Sequence, residues 1–181
     1  WRSNLPYWPL LDKDRFDAFW GTKLLMRFKP HELAAIVDEA QFSDPRAAKY
    51  MVDTLLYRQR ETGRYWFDRV APLDGFAIEM PGTQPRLCFT DLTLSYLLRT
   101  SATTYAIDTY DRDGNETGFA TVVNAGAKGR TCAAIPLAVD NDGYTIVRLR
   151  VRRDQREMPP VVVHLAKVPG HRLDVVGLRR R

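Results

Sequence analysis

The chain has 181 residues, of which 45% are hydrophobic and 11% aromatic, and its formal net charge is +5. This composition excludes a disordered chain, because disordered segments are poor in aromatic residues. No apolar run reaches the roughly 18 residues of a membrane-spanning helix. Residues 146–181 contain ten Lys or Arg against three Asp or Glu, so the basic character belongs to the C-terminal fifth of the chain.

The first part of the chain, residues 1–70, is predicted to form an arm followed by two or three helices. The first eleven residues are too rich in proline for a helix. Asp12 or Asp14 can cap a first helix. Ser43-Asp44-Pro45 is the clearest helix start in the sequence, and the helix that it opens is expected to end near Gly63.

Residues 71–85 are predicted to be a linker, since Pro and Gly recur there at a density that interrupts regular structure. Residues 86–181 are then expected to form a β domain. Its central strand is predicted at 142–153, where apolar residues alternate with arginines, because a period of two marks a strand with one buried face.

Short β-like runs surround this central strand and are separated by Gly, Asn and Asp clusters. Regular spacing of such runs is typical of an antiparallel sandwich. The predicted fold class is therefore α+β, with two or three N-terminal helices packed on a C-terminal antiparallel β-sandwich of seven or eight strands. The predicted strands are 86–89, 91–98, 104–110, 118–123, 131–137, 144–153, 160–167 and 173–178.

Two acidic turns would form a cation site from Asp111, Asp113, Asp140 and Asp142 if they lay side by side. The first turn departs from an EF-hand loop, because its Gly is fourth rather than sixth. Hairpin turns between strands explain both clusters without a metal. No metal and no cofactor is therefore predicted.

The only two cysteines, Cys88 and Cys132, both fall in β-like runs. They form one disulfide if the domain matures in an oxidising compartment. Two buried free thiols are an equally good interpretation of the sequence.

The basic C-terminal segment, residues 146–181, supplies the predicted interaction surface. Guanidinium groups on one sheet face suit carboxylates, phosphates or lipid headgroups. Nucleic acid is disfavoured as a partner, because no stacking aromatics are interleaved with the central arginines. The predicted partner-binding residues are Arg148, Arg150, Arg152, Arg153, Arg156, Arg179, Arg180 and Arg181.

No catalytic residue is predicted. The three histidines do not form the His-Glu-x-x-His arrangement of a metalloprotease, and no Ser lies in the Gly-x-Ser-x-Gly elbow of a hydrolase. The sequence therefore indicates a protein that is not an enzyme.

Two resemblances add expectations. The segment from Tyr105 to Asn115 resembles the penultimate strand and following turn of a fibronectin type III domain. Phe42-Ser-Asp-Pro-Arg46, Gly63-Arg-Tyr-Trp-Phe67 and Val161-Val-Val-His-Leu165 resemble the C-terminal region of larger bacterial proteins that are exported. The second resemblance implies a periplasmic or extracellular location, including the periphery of a membrane, and implies no activity.

Three functions follow as hypotheses. The leading one is a non-catalytic module that serves as an accessory or structural subunit of a larger bacterial protein assembly, which includes assemblies at a membrane surface. The first alternative is the C-terminal accessory domain of a larger exported enzyme whose catalytic part lies upstream. The second is a carbohydrate-binding or calcium-dependent adhesive β-sandwich.

Overall fold

A computed structural model describes residues 12–136, 143–168 and 172–181. Within these ranges the chain forms four α-helices and nine strands, and the strands make two antiparallel sheets. The fold class is therefore α+β. The chain divides into two units, Trp1–Arg69 and Val70–Arg181. The predicted arm, residues 1–11, lies outside the described residues.

The first unit contains the helices α1 (Arg15–Leu25), α2 (Pro30–Asp38) and α3 (Pro45–Phe67). Asp14, not Asp12, caps α1, where its carboxylate accepts hydrogen bonds from the first-turn backbone N–H groups. The helix that starts at Pro45 is confirmed, and it runs one turn beyond its predicted end.

Contacts made by Gln59 and Phe67 hold α1 against the C-terminal half of α3. The rings of Phe19 and Phe67 meet edge to face with their centroids 5.6 Å apart. Gln59 Nε2 donates to the carbonyl oxygens of Leu25 at 2.8 Å and Phe28 at 2.9 Å. These carbonyls lie at and just beyond the C-terminal end of α1, where donors within the helix run out, so the buried Gln59 supplies a donor there.

The smaller sheet of the second unit consists of β1 (Leu73–Glu79), β2 (Arg86–Asp91) and β5 (Arg130–Ala134), in the order β1-β2-β5. Strand β1 lies within residues 71–85, the segment that the sequence predicts to be a linker, and it pairs with β2. Gly75 has a φ of 61°, and the pairing with β2 shifts register between Asp74 and Ala77. This bulge breaks the alternation by which a strand is recognised in sequence.

The larger sheet has the order β4-β3-β6-β8-β9, and the two-residue β7 pairs with the end of β6. The predicted central strand is confirmed as β6, which lies between β3 and β8 and has fully buried inward residues. The strands are β3 (Thr103–Tyr110), β4 (Glu116–Asn124), β6 (Tyr144–Arg153), β7 (Arg156–Glu157), β8 (Val161–Val168) and β9 (Arg172–Arg180).

Residues 91–98 were predicted to be a strand, but they contain the short helix α4 (Leu92–Ser95). The carboxylate of Asp91 accepts hydrogen bonds from the backbone N–H groups of Thr93 at 3.0 Å and Leu94 at 3.4 Å. A capping side chain thus turns the backbone into a helix where the sequence pattern predicted a strand.

Buried side chains from both sheets belong to one core. The rings of Phe89 in β2 and Tyr105 in β3 meet at 4.9 Å, edge to face. Burial of apolar area of this kind is the main favourable contribution to folding. The fully buried members of this core include Leu73, Leu87, Phe89, Tyr105, Ile107, Ile135, Val147, Leu149, Val151, Val161, Val163 and Leu165.

Gly129, the last residue of a 3₁₀ turn before β5, packs closely against the start of α4. Its φ is 80°, and a Cβ there would lie 2.5 Å from the carbonyl oxygen of Asp91. We expect Gly129→Ala to lower the free energy of unfolding by about 2–3 kcal/mol, because backbone strain and overlap add. Gly118→Ala is the matched control: its φ is 78° in open space, so about 1 kcal/mol is expected. If both variants lost the same free energy of unfolding in urea denaturation, the proposed steric overlap at Gly129 would be contradicted.

Candidate interaction surface

The outer face of the larger sheet carries the arginines of the central strand. Arg148, Arg150 and Arg152 project from β6 on the side opposite the core, with 35%, 27% and 50% of their side chains exposed. The alternation of β6 places them there, because its inward positions are buried and its outward positions are not.

Asp108 of β3 binds two of these arginines. It lies directly opposite Arg148 in the pairing of β3 with β6, and its Oδ2 accepts from Arg148 Nη2 at 2.9 Å and from Arg150 Nη2 at 2.8 Å. Arg148 also lies over the ring of Tyr110, at 4.8 Å from the centroid. Both arginines are therefore held in defined orientations.

Glu157 of β7 binds the far end of the same row. Its Oε2 accepts from Arg152 Nε at 2.7 Å, and its Oε1 lies 3.7 Å from Arg150 Nη1. Three guanidinium groups thus share two carboxylates. Neither carboxylate was predicted from the sequence. Alternation along β3 indicates that Asp108 points outward, but its pairing with β6 depends on the order of the strands in the sheet.

Arg153 was predicted to bind a partner, but its side chain is only 5% exposed. It is an inward residue of β6 and donates to Asp91 Oδ2 at 2.5 Å and to Thr103 Oγ1 at 2.9 Å. The hydroxyl of Tyr105 donates to the same Asp91 oxygen at 3.0 Å. Arg153 therefore belongs to an internal ion pair. Its place two residues after the inward Val151 could have indicated this, because alternate residues of a strand share one face.

Burial controls the ionisation of this internal group. Desolvation raises the pKa of Asp91 above its ordinary value, while the charge of Arg153 opposes the shift. Burial and the neighbouring carboxylate likewise raise the pKa of the Tyr105 hydroxyl. The network is a buried charge pair.

The remaining predicted arginines take different positions. Arg180 is partly buried and donates to the carbonyl oxygen of Leu73 in β1, and burial lowers the pKa of its guanidinium. Arg179 and Arg181 are exposed on the outer face. Arg156 is exposed in β7, opposite Arg153. The structure thus brings Arg148, Arg150, Arg152, Arg179 and Arg181 to one face and removes Arg153 and Arg180 from it.

A groove of about 290 Å³ opens at one corner of this face. His164 of β8 lies in it, with its Nδ1 2.7 Å from the hydroxyl oxygen of Tyr144. Neither residue was predicted to contribute to an interaction surface. The groove is lined by Tyr110, Ile146, Arg148, His164, Arg179 and Arg181, among others.

The acidic turn between β3 and β4 satisfies its own oxygens. Asp111 accepts from the backbone N of Asn115 at 2.8 Å and from its Nδ2 at 3.0 Å, and these hydrogen bonds lower the pKa of Asp111. Asp113 lies in the same turn. Asp140 and Asp142, the other half of the cation site considered from the sequence, lie outside the described residues.

Cys88 and Cys132 face each other across β2 and β5 and are bonded to each other. The carboxylate of Glu79 lies beside them. The disulfide removes both thiolates as metal ligands, so this cluster serves to join two strands of the smaller sheet.

Comparison with protein-family models and with curated proteins finds no match for this sequence. Of the helices in the described ranges, none combines the length and apolar character needed to cross a bilayer.

Proposed function

We propose that the chain is a non-catalytic interaction module, an accessory or structural subunit that docks on a larger bacterial protein assembly. The observation that carries this proposal is the outer face of the larger sheet, where held arginines outnumber their carboxylates. Guanidinium forks that are already oriented lose little freedom on binding, which favours recognition of carboxylates on a partner surface.

Exposed apolar residues of the helical unit support the same proposal. Trp20, Phe28 and Ile36 are largely exposed, and a cavity of about 760 Å³ opens beside Phe28 and Ile36 between α1 and α2. Contiguous exposed apolar surface is a common mark of an interaction site. A module with a basic face and an apolar face suits a subunit of an assembly better than an isolated protein.

The test is affinity purification of the tagged protein from cells of its source, with the variant Arg150→Gln/Arg152→Gln beside the wild type. We expect a stable complex with the wild type, loss of most of it with the variant, and weakening by added salt. Lys128→Gln is the control, since Lys128 is exposed in the connection before β5. Equal recovery of the complex with both variants would exclude the arginine face as the contact.

We further propose that the two sheets form a sandwich of the fibronectin type III kind. In immunoglobulin-like sandwiches the first, second and fifth strands share one sheet, and the third, sixth and seventh share the other. Here β1, β2 and β5 share one sheet, and β3, β6 and β8 are consecutive in the other. The segment from Tyr105 forms the third strand rather than the penultimate one, and β9 is an additional strand.

A second candidate function, the accessory domain of a larger exported enzyme, is supported by the disulfide. Bonded cysteines are typical of periplasmic and extracellular proteins. Such a location is compatible with the leading proposal as well. The two differ in the purified material: a separate partner polypeptide supports the subunit, whereas one longer polypeptide with the module at its end supports the enzyme domain.

A further inference from the structure

We propose that the groove at the corner of the arginine face binds a phosphate monoester group carried by a small molecule. The inference rests on the proposed function only in that the groove belongs to the same face. It requires no protein partner.

The pairing of three strands places two arginines on either side of a small apolar residue. Arg148 of β6 lies opposite Val162 of β8, and Val162 lies opposite Arg179 of β9. Neighbouring strands are about 4.8 Å apart, so the two arginines flank Val162 across roughly 10 Å. Their long side chains can converge above it, because Val162 is short.

The next set of paired residues across the sheet forms the base, or floor, of the groove. Ile146 of β6 lies opposite His164 of β8, which lies opposite Gly177 of β9. A Cβ on Gly177 would lie 3.5–3.6 Å from Cδ2 and Cγ of the His164 imidazole, an ordinary contact distance, so Gly177 lies directly beside this ring. The floor is partly apolar, which suits the organic part of an ester beside its anionic group.

The charges in the groove favour an anion with more than one negative charge. Arg148 uses Nε and Nη2 on Asp108. The guanidinium groups of Arg179 and Arg181 have no carboxylate partner among the described residues. A phosphate monoester carries −1.5 to −2 charges at pH 7 and three acceptor oxygens, so it can accept from several guanidinium forks at once. A single carboxylate offers only two oxygens and one charge.

The size of the groove favours a small ligand. Its volume of about 290 Å³ lies just below the roughly 300–1,000 Å³ that is usual for sites of drug-sized ligands. Arg148 is already held by Asp108 and by the ring of Tyr110. One wall of the site is therefore ordered before a ligand arrives, which reduces the entropic cost of binding.

The experiment is calorimetric titration of the whole chain with inorganic phosphate and with glycerol 2-phosphate, at constant ionic strength set by sodium chloride. We expect both to bind, and the ester to bind more tightly because it also contacts the apolar floor. Acetate is expected to bind at least tenfold more weakly than phosphate. Absence of heat with both phosphate probes would overturn the inference.

Variants locate the site. Arg179→Gln is expected to weaken phosphate binding about 10- to 100-fold, as the loss of a charge-assisted hydrogen bond does, and Arg179→Lys to weaken it less. Arg179 is exposed, so its replacement leaves the core intact. Lys128→Gln removes one positive charge from the exposed connection before β5, outside the groove, and should change the affinity less than twofold.

Several outcomes would overturn the inference and leave the proposed function standing. One is equal phosphate affinity in Arg179→Gln and the wild type. Another is binding to vesicles of phosphatidylglycerol without binding to either soluble phosphate. Conversely, phosphate binding that depends on Arg179, with no complex recovered from cells, would support the ligand site and contradict the subunit.

Discussion

Replacing Asp91 by Asn is expected to lower the free energy of unfolding by about 3–5 kcal/mol, because it leaves a buried guanidinium without a counter-charge. The side chain of Arg153 is 5% exposed and bonds to Asp91 and to Thr103. Asn keeps the shape of the side chain and can still cap α4. With Oδ1 kept on the cap, the substitution removes the charge and replaces Oδ2 by an amide NH2 group, which cannot accept from Arg153 or Tyr105. A loss of this size is a large share of the roughly 5–15 kcal/mol that stabilises a domain.

Urea denaturation at pH 7, followed by circular dichroism, measures the effect. Asp91→Asn/Arg153→Met removes both charges and is expected to be more stable than Asp91→Asn alone, since the uncompensated charge is gone. Glu79→Gln breaks the half-exposed pair with Arg130 and should cost less than about 1 kcal/mol. If the double variant lost as much free energy of unfolding as Asp91→Asn and Arg153→Met lose together, the two charges would not act on each other.

Opening the Cys88–Cys132 bond is expected to lower the free energy of unfolding by about 4 kcal/mol. The bond joins residues separated by 44 positions, and in the chain-entropy account a cross-link of that length restricts the unfolded chain by about this amount. Denaturation with and without a reductant measures the loss. The reduced protein should also expose the smaller sheet to proteolysis more readily.

The control for the disulfide is Cys88→Ala/Cys132→Ala. Its stability should match that of the reduced wild type and should not respond to the reductant. If the reductant destabilised this variant as well, the effect on the wild type would have another origin. A wild type indifferent to full reduction would show that the bond contributes nothing to stability.

Helix capping and strand alternation, which depend only on neighbouring residues, were sufficient to predict α3 and β6. Capping by Asp44 and the proline that follows it predicted the start of α3, and alternation predicted β6 and its two faces. Strand β1 was not predicted, because a bulge at Gly75 breaks its alternation. Helix α4 escaped because one carboxylate, Asp91, turns a β-like sequence into a helical turn.

The interaction surface was only half accessible to sequence reasoning. The outward arginines of β6 follow from period two, and the same rule, applied to its inward positions, would have placed Arg153 in the core. Asp108 and Tyr110 of β3 and His164 of β8 could not be assigned to the surface, because the order of these strands in the sheet is not written in the sequence. Strand pairing, rather than any motif, brings them together.

The capping of α4 has a consequence for hydrogen exchange. A helix of four residues has almost no stability of its own, and its amides would ordinarily exchange by local fraying. Here the N–H groups of Thr93 and Leu94 donate to Asp91, which cannot release them without also disturbing Arg153. These two amides should therefore exchange only when the sheet unit unfolds as a whole, at the rate of the slowest core strands.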